Sequence, residues 1–562
     1  MNKPIATLLE QHFDTAFAAP DGIKKLRELI LTLAMQGKLV PQDPNDPPAS
    51  ELLKEIEAEK KRLVKEGKIK TPKPLPPVTD EEKPYELPEG WEWVRLGVVA
   101  KINGGFAFKS TKYSDNGIRV VRISDFDENG FKNEKIVRYP YSADLFYFKL
   151  EPNSILMAMT GGTVGKSLLV KSLSEPMVVN QRVATIKIFG KLIPEFVNGL
   201  IRTSLIQSVI QAAKNSTNDN ISMVDITSFF VPLPPLPEQH RIVAKIDELM
   251  ARCDALEKLQ KQREEKRLAV HSAAITQLLN IAQLDEHQRA QAFLAEHFCE
   301  LYTVKENVAE LRKAILQLAV MGKLVPQDPN DPPASELLKE IEAEKQRLVK
   351  EGKIKAPKPL LPVTDGEKPY ELPQGWVWMR LGEIGISQTG TTPPSKDAEN
   401  LGNFIPFIGP GDIKNSVINY SGEGLSEIGL SKGRLIEKGS VLMVCIGGSI
   451  GKHAVNNRDV TCNQQINTLT PYKPVSVYFL FYSMGAEWFQ KNVISQAGGS
   501  ATPIINKQKW SSILVPLPPT FEQHRIVAKI DQLMALCDTL DQQIAAAAQK
   551  QAELLEAVMA QT

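Results

Sequence analysis

The chain has 562 residues, too many for one hydrophobic core, which predicts about three to four domains. Its composition, 42% hydrophobic and 24% charged, is typical of a folded protein, and no apolar run reaches the roughly 18 residues of a membrane span. Five scattered cysteines without a Cys-x-x-Cys pair argue against a disulfide framework and a zinc site. With no signal-peptide pattern at the amino terminus, we expect a cytoplasmic protein without a membrane partner.

The net charge of +1 is unevenly distributed. Residues 95–232 carry 17 Lys/Arg and 11 Asp/Glu, a net of +6, and residues 380–516 carry 12 and 9, a net of +3. The rest of the chain therefore carries −8. Because phosphate attraction is local, two basic blocks in an acidic frame are compatible with nucleic-acid binding without establishing it.

The first predicted elements are two helices and a linker. Apolar residues at helical spacing predict a helix around residues 26–33. A proline-rich turn follows, in which Asp46 or Ser50 is expected to cap a charged helix over residues 49–67. Residues 71–84 are rich in proline and predict a stiff, extended linker.

The next part of the chain predicts a mixed α/β domain. Apolar runs between turn-forming residues predict strands at 118–126, 154–160, 182–189 and 229–237. Residues 196–213 predict one amphipathic helix, and residues 476–497 predict its counterpart in the second half of the chain.

An internal duplication organises the whole sequence. The segment GKLVPQDPNDPPASELLKEIEAEK at 37–60 recurs unchanged at 322–345, and EQHRIVAKID occurs at both 238–247 and 522–531. The repeat is about 285 residues long, far beyond a solenoid unit. The chain is therefore a tandem duplication of one multi-part module, whose repeated blocks we call the frame.

The segments between the repeated blocks hardly resemble each other. In the inserts at 98–230 and 383–514, only short islands match, such as TGGTVGK at 160–166 and IGGSIGK at 446–452. Random sequence divergence alone should not leave whole blocks unchanged while it removes the similarity of the segments between them. One frame that presents two different specificities is the favoured interpretation.

Each copy ends in a long predicted helix with an apolar seam. Alternating four- and three-residue steps predict lengthwise helix packing. The seam residues are Ile242, Ile246, Leu249, Cys253 and Leu256 in the first helix and Ile526, Ile530, Leu533, Cys537 and Leu540 in the second. Pairing of the two seams with each other is the simplest interpretation, and packing on a partner's helices is the alternative. At 1.5 Å per residue, about 40 residues would form a spacer of about 60 Å.

Several motifs suggest catalysis, and each is incomplete. GGTVGKS lacks the first glycine of a P-loop, because Thr160 stands there, and Ile446 stands there in the second copy. A glycine turn whose amides and Lys166 or Lys452 meet a DNA phosphate is the favoured reading, with a plain β-turn left open. The methyltransferase-like segments, Asp-Pro-Pro-Ala at 46–49 and Phe-Ile-Gly-Pro-Gly at 407–411, also fall short of their motifs.

The histidines show no metal-binding spacing, and no nucleophile–base pair recurs with the duplication. His240 and His524 are interpreted as packing residues at helix starts. We therefore predict no catalytic residue, no metal site and no cofactor bound by this chain.

The repeated motifs LPEGWEWVRLG, TGGTVGK and PLPPLPEQHRIVAKIDELMARCD, with their second copies, resemble the specificity (S, HsdS) subunits of type I restriction–modification enzymes over nearly the whole chain. The PQDPNDPP segment resembles the longer members of that family. The resemblance implies a mixed α/β fold in which two target-recognition domains are separated by two long antiparallel conserved helices, in a pseudo-twofold tandem duplication.

The resemblance also implies function. Each recognition domain would read one half of a bipartite, gapped site in double-stranded DNA. The conserved helices would dock two methyltransferase (M) subunits, and restriction/translocase (R) subunits would join them. S-adenosylmethionine, ATP and Mg²⁺ would be used by those partner subunits.

The predicted division has six parts: conserved helices and linker (1–87), the first recognition domain (88–235), the central long helix (236–282), a second set of helices and linker (283–372), the second recognition domain (373–518) and the last long helix (519–562). Base-reading candidates were chosen for their hydrogen-bonding or positively charged side chains. They are Lys109, Lys112, Arg119, Arg122, Lys166, Asn180, Gln181, Arg182, Lys214 and Asn215 in the first domain and Ser395, Lys396, Lys414, Lys452, Asn463, Gln464, Lys507 and Lys509 in the second.

Two other functions remain alternatives on the sequence alone. The chain could be a P-loop ATPase or a self-sufficient methyltransferase, which turnover by the isolated chain would reveal. It could also be a regulatory protein that binds DNA without a methyltransferase partner. The bases that the two domains recognise do not follow from one sequence.

Overall fold

A computed structural model describes residues 19, 21–213, 220–280, 284–357, 359–394, 396–499 and 502–560. The chain divides into two compact units. Unit 1 comprises residues 1–263 with 547–562, and unit 2 comprises residues 264–546.

The helices up to the middle of the chain are α1 (Gly22–Met35), α2 (Ala49–Lys65), α3 (Leu96–Val99), α4 (Pro194–Ile201), α5 (Ser204–Ala213), α6 (Met223–Thr227) and α7 (Leu236–Leu279). The later helices are α8 (Leu284–Glu296), α9 (Phe298–Leu301), α10 (Lys305–Val320), α11 (Ala334–Lys350), α12 (Glu427–Lys432), α13 (Val477–Gly485), α14 (Glu487–Gln496), α15 (Lys507–Ser511) and α16 (Thr520–Ala560). The two long helices that the seams predicted are confirmed, with 44 residues in α7 and 41 in α16.

The strands of unit 1 are β1 (Glu92–Arg95), β2 (Ala100–Gly104), β3 (Ile118–Val121), β4 (Phe126–Asp127), β5 (Gly130–Phe131), β6 (Val137–Tyr139), β7 (Ser154–Ala158), β8 (Ser167–Val170), β9 (Met177–Val179), β10 (Val183–Ile188) and β11 (Phe230–Leu233). Strands β2, β10, β7 and β8 form an antiparallel sheet in that order, and β6, β3 and β9 form a second sheet in which β3 and β9 are parallel. The remaining pairs are β1 with β11 and β4 with β5.

Unit 2 repeats this topology with different residues. Its strands are β12 (Val377–Arg380), β13 (Gly385–Thr389), β14 (Leu401–Ile408), β15 (Ile413–Lys414), β16 (Val417–Ile418), β17 (Gly424–Leu425), β18 (Val441–Val444), β19 (His453–Val455), β20 (Thr461–Cys462), β21 (Ile466–Pro471) and β22 (Leu514–Leu517). The order β13-β21-β18-β19 corresponds to β2-β10-β7-β8, and β17-β14-β20 corresponds to β6-β3-β9. The mixed α/β fold expected for both inserts is confirmed.

The central strand β7 is buried on both faces, which explains its continuous apolar sequence. Ile155 and Met157 pack with the helices of unit 1 and with its frame. Leu156 and Ala158 point the other way and pack against the sheet that contains β3 and β9. The sheet is therefore the middle layer between a helical layer and a second sheet.

A buried carboxylate joins the frame of unit 1 into one piece. Glu238, in the first turn of α7, is 1% exposed and accepts hydrogen bonds from the Trp91 indole (2.9 Å) and the Gln42 amide (3.0 Å). Arg241, one turn further, pairs with Asp46 at 2.7 Å. Three blocks that are far apart in sequence thus meet at one point, which we call the joint.

The joint of unit 2 is built identically. Glu522 accepts hydrogen bonds from Trp376 (2.8 Å) and Gln327 (3.1 Å), and Arg525 pairs with Asp331. Burial raises the pKa of Glu522 against the opposing effect of these donors. The letter-for-letter repetition of the frame therefore preserves one hydrogen-bonded network twice.

A buried glutamine beside each joint holds the recognition domain. Gln239 is fully buried, accepts a hydrogen bond from the backbone N–H of Ile193 (3.2 Å) and donates to the carbonyl of Pro234 (3.0 Å). Gln523 does the same with Ser476 (2.9 Å) and Pro518 (2.9 Å). The start of each long helix is thereby fixed to the domain that precedes it.

The seam of each long helix is buried within its own unit by a short frame helix, a packing partner that the sequence analysis did not foresee. Cys253 of α7 packs against Ile23 and Ile30 of α1, and Leu249 and Leu256 border the same cluster. In unit 2, Ile526, Ile530 and Cys537 share a buried cluster with residues of α10. Arg27 and Arg312 form the matching ion pairs, with Asp254 and Glu257 in unit 1 and with Asp538 and Asp541 in unit 2.

Three local predictions were wrong. The single helices expected over 196–213 and 476–497 are each two helices: α4 ends before Thr203, whose hydroxyl bonds the Leu200 carbonyl, and an extended Ala486 separates α13 from α14. Neither Asp46 nor Ser50 caps α2, because Pro48 is the cap residue and Asp46 is engaged by Arg241. His240 and His524 are exposed rather than packed.

The end of α7 carries a buried polar pair in unit 2. His271 is fully buried, and its Nε2 lies 3.1 Å from the hydroxyl of Tyr302. Leu555 occupies the corresponding position of α16 and packs against Leu29 and Leu33 in unit 1. Burial lowers the pKa of His271, so the folded chain holds this imidazole neutral.

Replacing Glu238 with alanine is expected to lower the stability of unit 1 by about 2–4 kcal/mol, because Trp91 and Gln42 lose their buried acceptor. Glu248→Ala is the matched control, since that carboxylate lies on the exposed side of the same helix and pairs with Lys245 and Arg252. Denaturant unfolding followed by tryptophan fluorescence measures both. Equal stability of the two variants would contradict the role of the joint.

His271→Leu is expected to reduce the loss of stability in acid. The folded pKa lies below the ordinary value of 6.5, so the unfolded chain binds the proton first and wild-type stability falls as the pH drops below about 6.5. Removing the imidazole should therefore recover part of the stability that the wild type loses between pH 7 and pH 5. Melting temperatures across that range test this, with exposed His240→Leu as control. An unchanged pH slope in His271→Leu would refute it.

Candidate nucleic-acid interface

Four strand ends of the first recognition domain lie at one edge of its four-stranded sheet. Gly104, the last residue of β2, pairs with Ala184, and Ala158, the last of β7, pairs with Val183 at the start of β10. Ser167 begins β8 at the same level. The connecting segments 104–106, 121–125, 158–166, 180–182 and 220–223 therefore converge here, and we call this set loop edge 1.

Backbone hydrogen bonds tie these segments together. The N–H of Met159 donates to the Arg182 carbonyl (2.9 Å), and the N–H of Ile221 donates to the Met159 carbonyl (2.9 Å). The N–H of Asn180 donates to the Val121 carbonyl at 2.9 Å. Loop edge 1 is thus a hydrogen-bonded surface.

The glycine turn at 160–166 is braced from behind. Gln207 of α5 donates its side-chain amide to the carbonyls of Gly165 (3.2 Å) and Ile201 (2.8 Å). Gly165 has a φ of +86°, and a Cβ there would lie 2.7 Å from the Gln207 oxygen. Gly165, which matches the second glycine of the P-loop pattern, is therefore required by backbone geometry and close packing, not by a nucleotide phosphate.

The second domain has an equivalent edge, loop edge 2, formed by segments 389–392, 408–412, 444–452, 463–466 and 504–508. Gln490 donates to the carbonyls of Gly451 (3.1 Å) and Met484 (2.6 Å), as Gln207 does in the first domain. Burial raises the pKa values of Cys445 and Cys462 to about 12, so both thiols stay protonated and are poor nucleophiles.

Nine of the candidate residues lie on the two edges. They are Arg122, Lys166, Asn180, Gln181 and Arg182 on loop edge 1 and Lys452, Asn463, Gln464 and Lys507 on loop edge 2. Gln181, Arg182, Lys452 and Gln464 are exposed. Lys166 is half-buried and donates to the Phe126 carbonyl at 3.2 Å.

Asn180 and Asn463 shape their turns. The Asn180 side-chain oxygen accepts a hydrogen bond from the backbone N–H of Arg182 (3.1 Å), and Asn463 binds that of Gln465 in the same way (3.0 Å). These asparagines orient the exposed Gln181, Arg182 and Gln464 beside them.

The other candidates are distributed away from this cluster. Lys109, Lys112, Lys396 and Lys414 are exposed on neighbouring loops and a hairpin, and Lys509 lies on α15 with its ammonium 3.1 Å from the Gln496 carbonyl. Lys214, Asn215 and Ser395 lie outside the described residues.

One base-reading candidate is wrong. Arg119 is 3% exposed, and its guanidinium donates to the side chain of Asn133 and to the carbonyl of Lys132, so it stabilises the fold. Arg122 is partly exposed but holds Asp125 through two hydrogen bonds of 2.8 Å. Its donors are largely used inside the protein.

The sequence analysis missed the short helix α6 on loop edge 1, which brings Met223 and Val224 to the surface. A local signal was present, because Ser222 and Asp225 form a reciprocal capping box at its start. The analysis also missed Arg434, which is exposed and lies beside loop edge 2, bonded to the Thr389 carbonyl at 2.7 Å.

Within the described ranges, no His, Cys, Asp and Glu side chains cluster in a group of three that could hold a metal ion. In the same residues, no helix has the length and apolar character needed to cross a membrane.

Two equal frames that carry two different, loop-lined edges define a protein suited to recognising two sites. Residues 88–265 and 373–550 each match the family described as type I restriction modification DNA specificity domain. The chain is 36% identical to the EcoAI type I restriction enzyme specificity subunit of Escherichia coli, over 96% of this chain and 93% of the relative. It is 34% identical to the EcoEI specificity subunit of the same species, with the same coverage. The chain belongs to this type I specificity family, which confirms the resemblance.

Among solved structures, the chain is similar to the HsdS subunit from Thermoanaerobacter tengcongensis. The identity is 20% over 85% of this chain and 98% of that chain, with a TM-score of 0.44.

Replacing Gly165 with alanine should destabilise the first recognition domain by about 1–3 kcal/mol, because the residue has a left-handed backbone and faces Gln207. Gly162→Ala is the matched control within the same turn, since a Cβ there meets nothing within 4 Å. Thermal unfolding of both variants measures the difference. A Gly165→Ala protein that melts like Gly162→Ala would contradict the brace.

Proposed function

We propose that each recognition domain reads one half of a bipartite, gapped site in double-stranded DNA through its loop edge. The observation that carries this is the equivalence of the two edges: the same strands, glycine turn and glutamine brace present different exposed side chains. Exposed amide and guanidinium groups suit the acceptors that bases present in the major groove. The net positive charge of both inserts favours the phosphate backbone.

We infer that the frame docks the partner subunits. The EcoAI and EcoEI relatives are named as specificity subunits of type I restriction enzymes, which implies methyltransferase and restriction partners. Because the frame occurs twice with nearly the same sequence, we propose that two methyltransferase subunits bind, one to each copy. S-adenosylmethionine, ATP and Mg²⁺ then serve those partners, and the specificity chain carries no chemistry of its own. Such a complex acts on host DNA in the cytoplasm.

Exchange of the first insert, residues 98–230, for that of another family member tests independent reading. The joint and the β1–β11 pair lie at the ends of this insert, so the frame should refold around the replacement. Methylation sequencing of DNA from cells that contain the complex should show one half-site changed and the other retained. Loss of both half-sites in a complex that still assembles would refute the proposal.

The long helices should set the gap between the half-sites. The middle of α7, residues 257–266, is exposed, so seven residues can be removed there with little loss of packing. An equal deletion in α16 keeps the two helices matched. Two helical turns correspond to about 10 Å, or about three base pairs. Methylation sequencing should show a shortened gap with both half-sites unchanged. An unchanged gap in an active deletion variant would refute the spacer role.

A further inference from the structure

The first turn of α6 exposes two apolar side chains beside the polar groups of loop edge 1. Val224 is 73% exposed and Met223 is 42% exposed. The preceding residues place this turn on loop edge 1, because Asn220 bridges Thr160 and the N–H of Ile221 bonds Met159. Exposure of apolar area costs free energy in water, and contact with an apolar group of a partner would recover it.

Packing and capping within the domain account for most side chains of this turn, but not for Val224. Ile226 is fully buried and anchors α6, and the Ser222–Asp225 capping box fixes its start. The sulfur of Met223 lies close over Gly104, where a Cβ would be 3.2 Å away. Val224 points outwards and is not needed for any of these contacts.

The equivalent helix α15 keeps the buried side and changes the exposed one. Trp510 is fully buried at the position of Ile226, and Asn506 caps the helix as Ser222 does. Lys507 and Gln508, both exposed, take the places of Met223 and Val224. The first turns of α6 and α15 therefore occupy equivalent places in the two domains but carry different exposed side chains. This is what we expect of residues that determine specificity.

The major groove of DNA offers one prominent apolar group, the 5-methyl of thymine. Val224 directly follows segment 220–223 of loop edge 1, the edge that also carries Gln181 and Arg182, whose side chains are exposed donors. We propose that Val224, supported by Met223, contacts a thymine 5-methyl in the half-site read by the first domain. This rests on the proposed function and adds a specificity residue to it.

The test removes the thymine 5-methyl group and the Val224 side chain in separate experiments. Once methylation sequencing has given the site, each thymine of the first half-site is replaced by deoxyuridine, which lacks only the 5-methyl group. Affinity of the complex with its methyltransferase subunits is then measured by fluorescence anisotropy. At one position the wild-type complex should bind about fourfold more weakly, the effect of exposing about one methyl group.

Val224→Ala should bind the thymine duplex more weakly and lose most of the response to deoxyuridine at that position. Gln508→Ala, the matched control at the equivalent position of the second domain, should keep the fourfold response in the first half-site. Both side chains are exposed, so both variants should fold.

Three results would overturn the proposal. One is a wild-type complex that is indifferent to every deoxyuridine substitution in the first half-site. Another is a Val224→Ala complex with the wild-type response. The third is a Val224→Ala chain that no longer binds the methyltransferase subunits, which would make this turn a protein-docking surface. A wild-type complex without any site preference would refute the proposed function itself, and this inference with it.

Discussion

The structure of each unit depends on one buried carboxylate in the first turn of a long helix. Glu238 and Glu522 are each about 99% buried, and each accepts an indole N–H and a glutamine amide from distant frame segments. A buried charge without such donors would be costly, so the tryptophan and glutamine must be present wherever the glutamate is. This interdependence explains why the frame blocks recur together and nearly unchanged. The same first turn carries Gln239 or Gln523, which binds the recognition domain.

The recognition domains show how a fold survives extensive change of sequence. Alternate residues of β7 and β18 face two different cores, so these strands need apolar side chains everywhere but no particular ones. The glycine turn and its glutamine brace are more demanding, because a positive φ and a carbonyl-to-amide contact leave few substitutes. Exposed positions between these fixed points, such as Val224 and its counterpart Gln508, are free to differ in what they bind.

Prediction from sequence succeeded where the pattern was long or repeated. The duplication, the two long helices and the mixed α/β inserts followed from periodicity and repetition, and the family followed from the repeated motifs. Single side chains were harder to place. Arg119 has the side chain of a base reader, but β3 turns it into the interior, where Asn133 and Lys132 bind it. Nothing in the local sequence reveals which face of that strand is buried.

The seam residues illustrate the same limit. Their spacing correctly indicated lengthwise helix packing, yet spacing alone does not name the partner, and within each unit the partner is the short frame helix. The helix breaks near Thr203 and Ala486 were also missed. At the first break a side-chain hydrogen bond of Thr203 stands where a glycine or proline usually marks the end of a helix. At the second break Gly485 does end the helix, but the apolar pattern continues beyond it and predicted a single helix.

The pairing of β1 with β11 means that the chain enters and leaves the first recognition domain side by side. Glu92 faces Leu233 and Arg95 faces Phe230, and β12 and β22 close the second domain in the same way. Neighbouring strands lie only about 5 Å apart, so the two ends of the domain are held at the same short distance whatever residues lie between them. The entropy of closing such a loop rises by only about 0.6 kcal/mol for each doubling of its length. Insertions or deletions inside a recognition domain therefore leave the frame almost undisturbed, and domain size is free to vary.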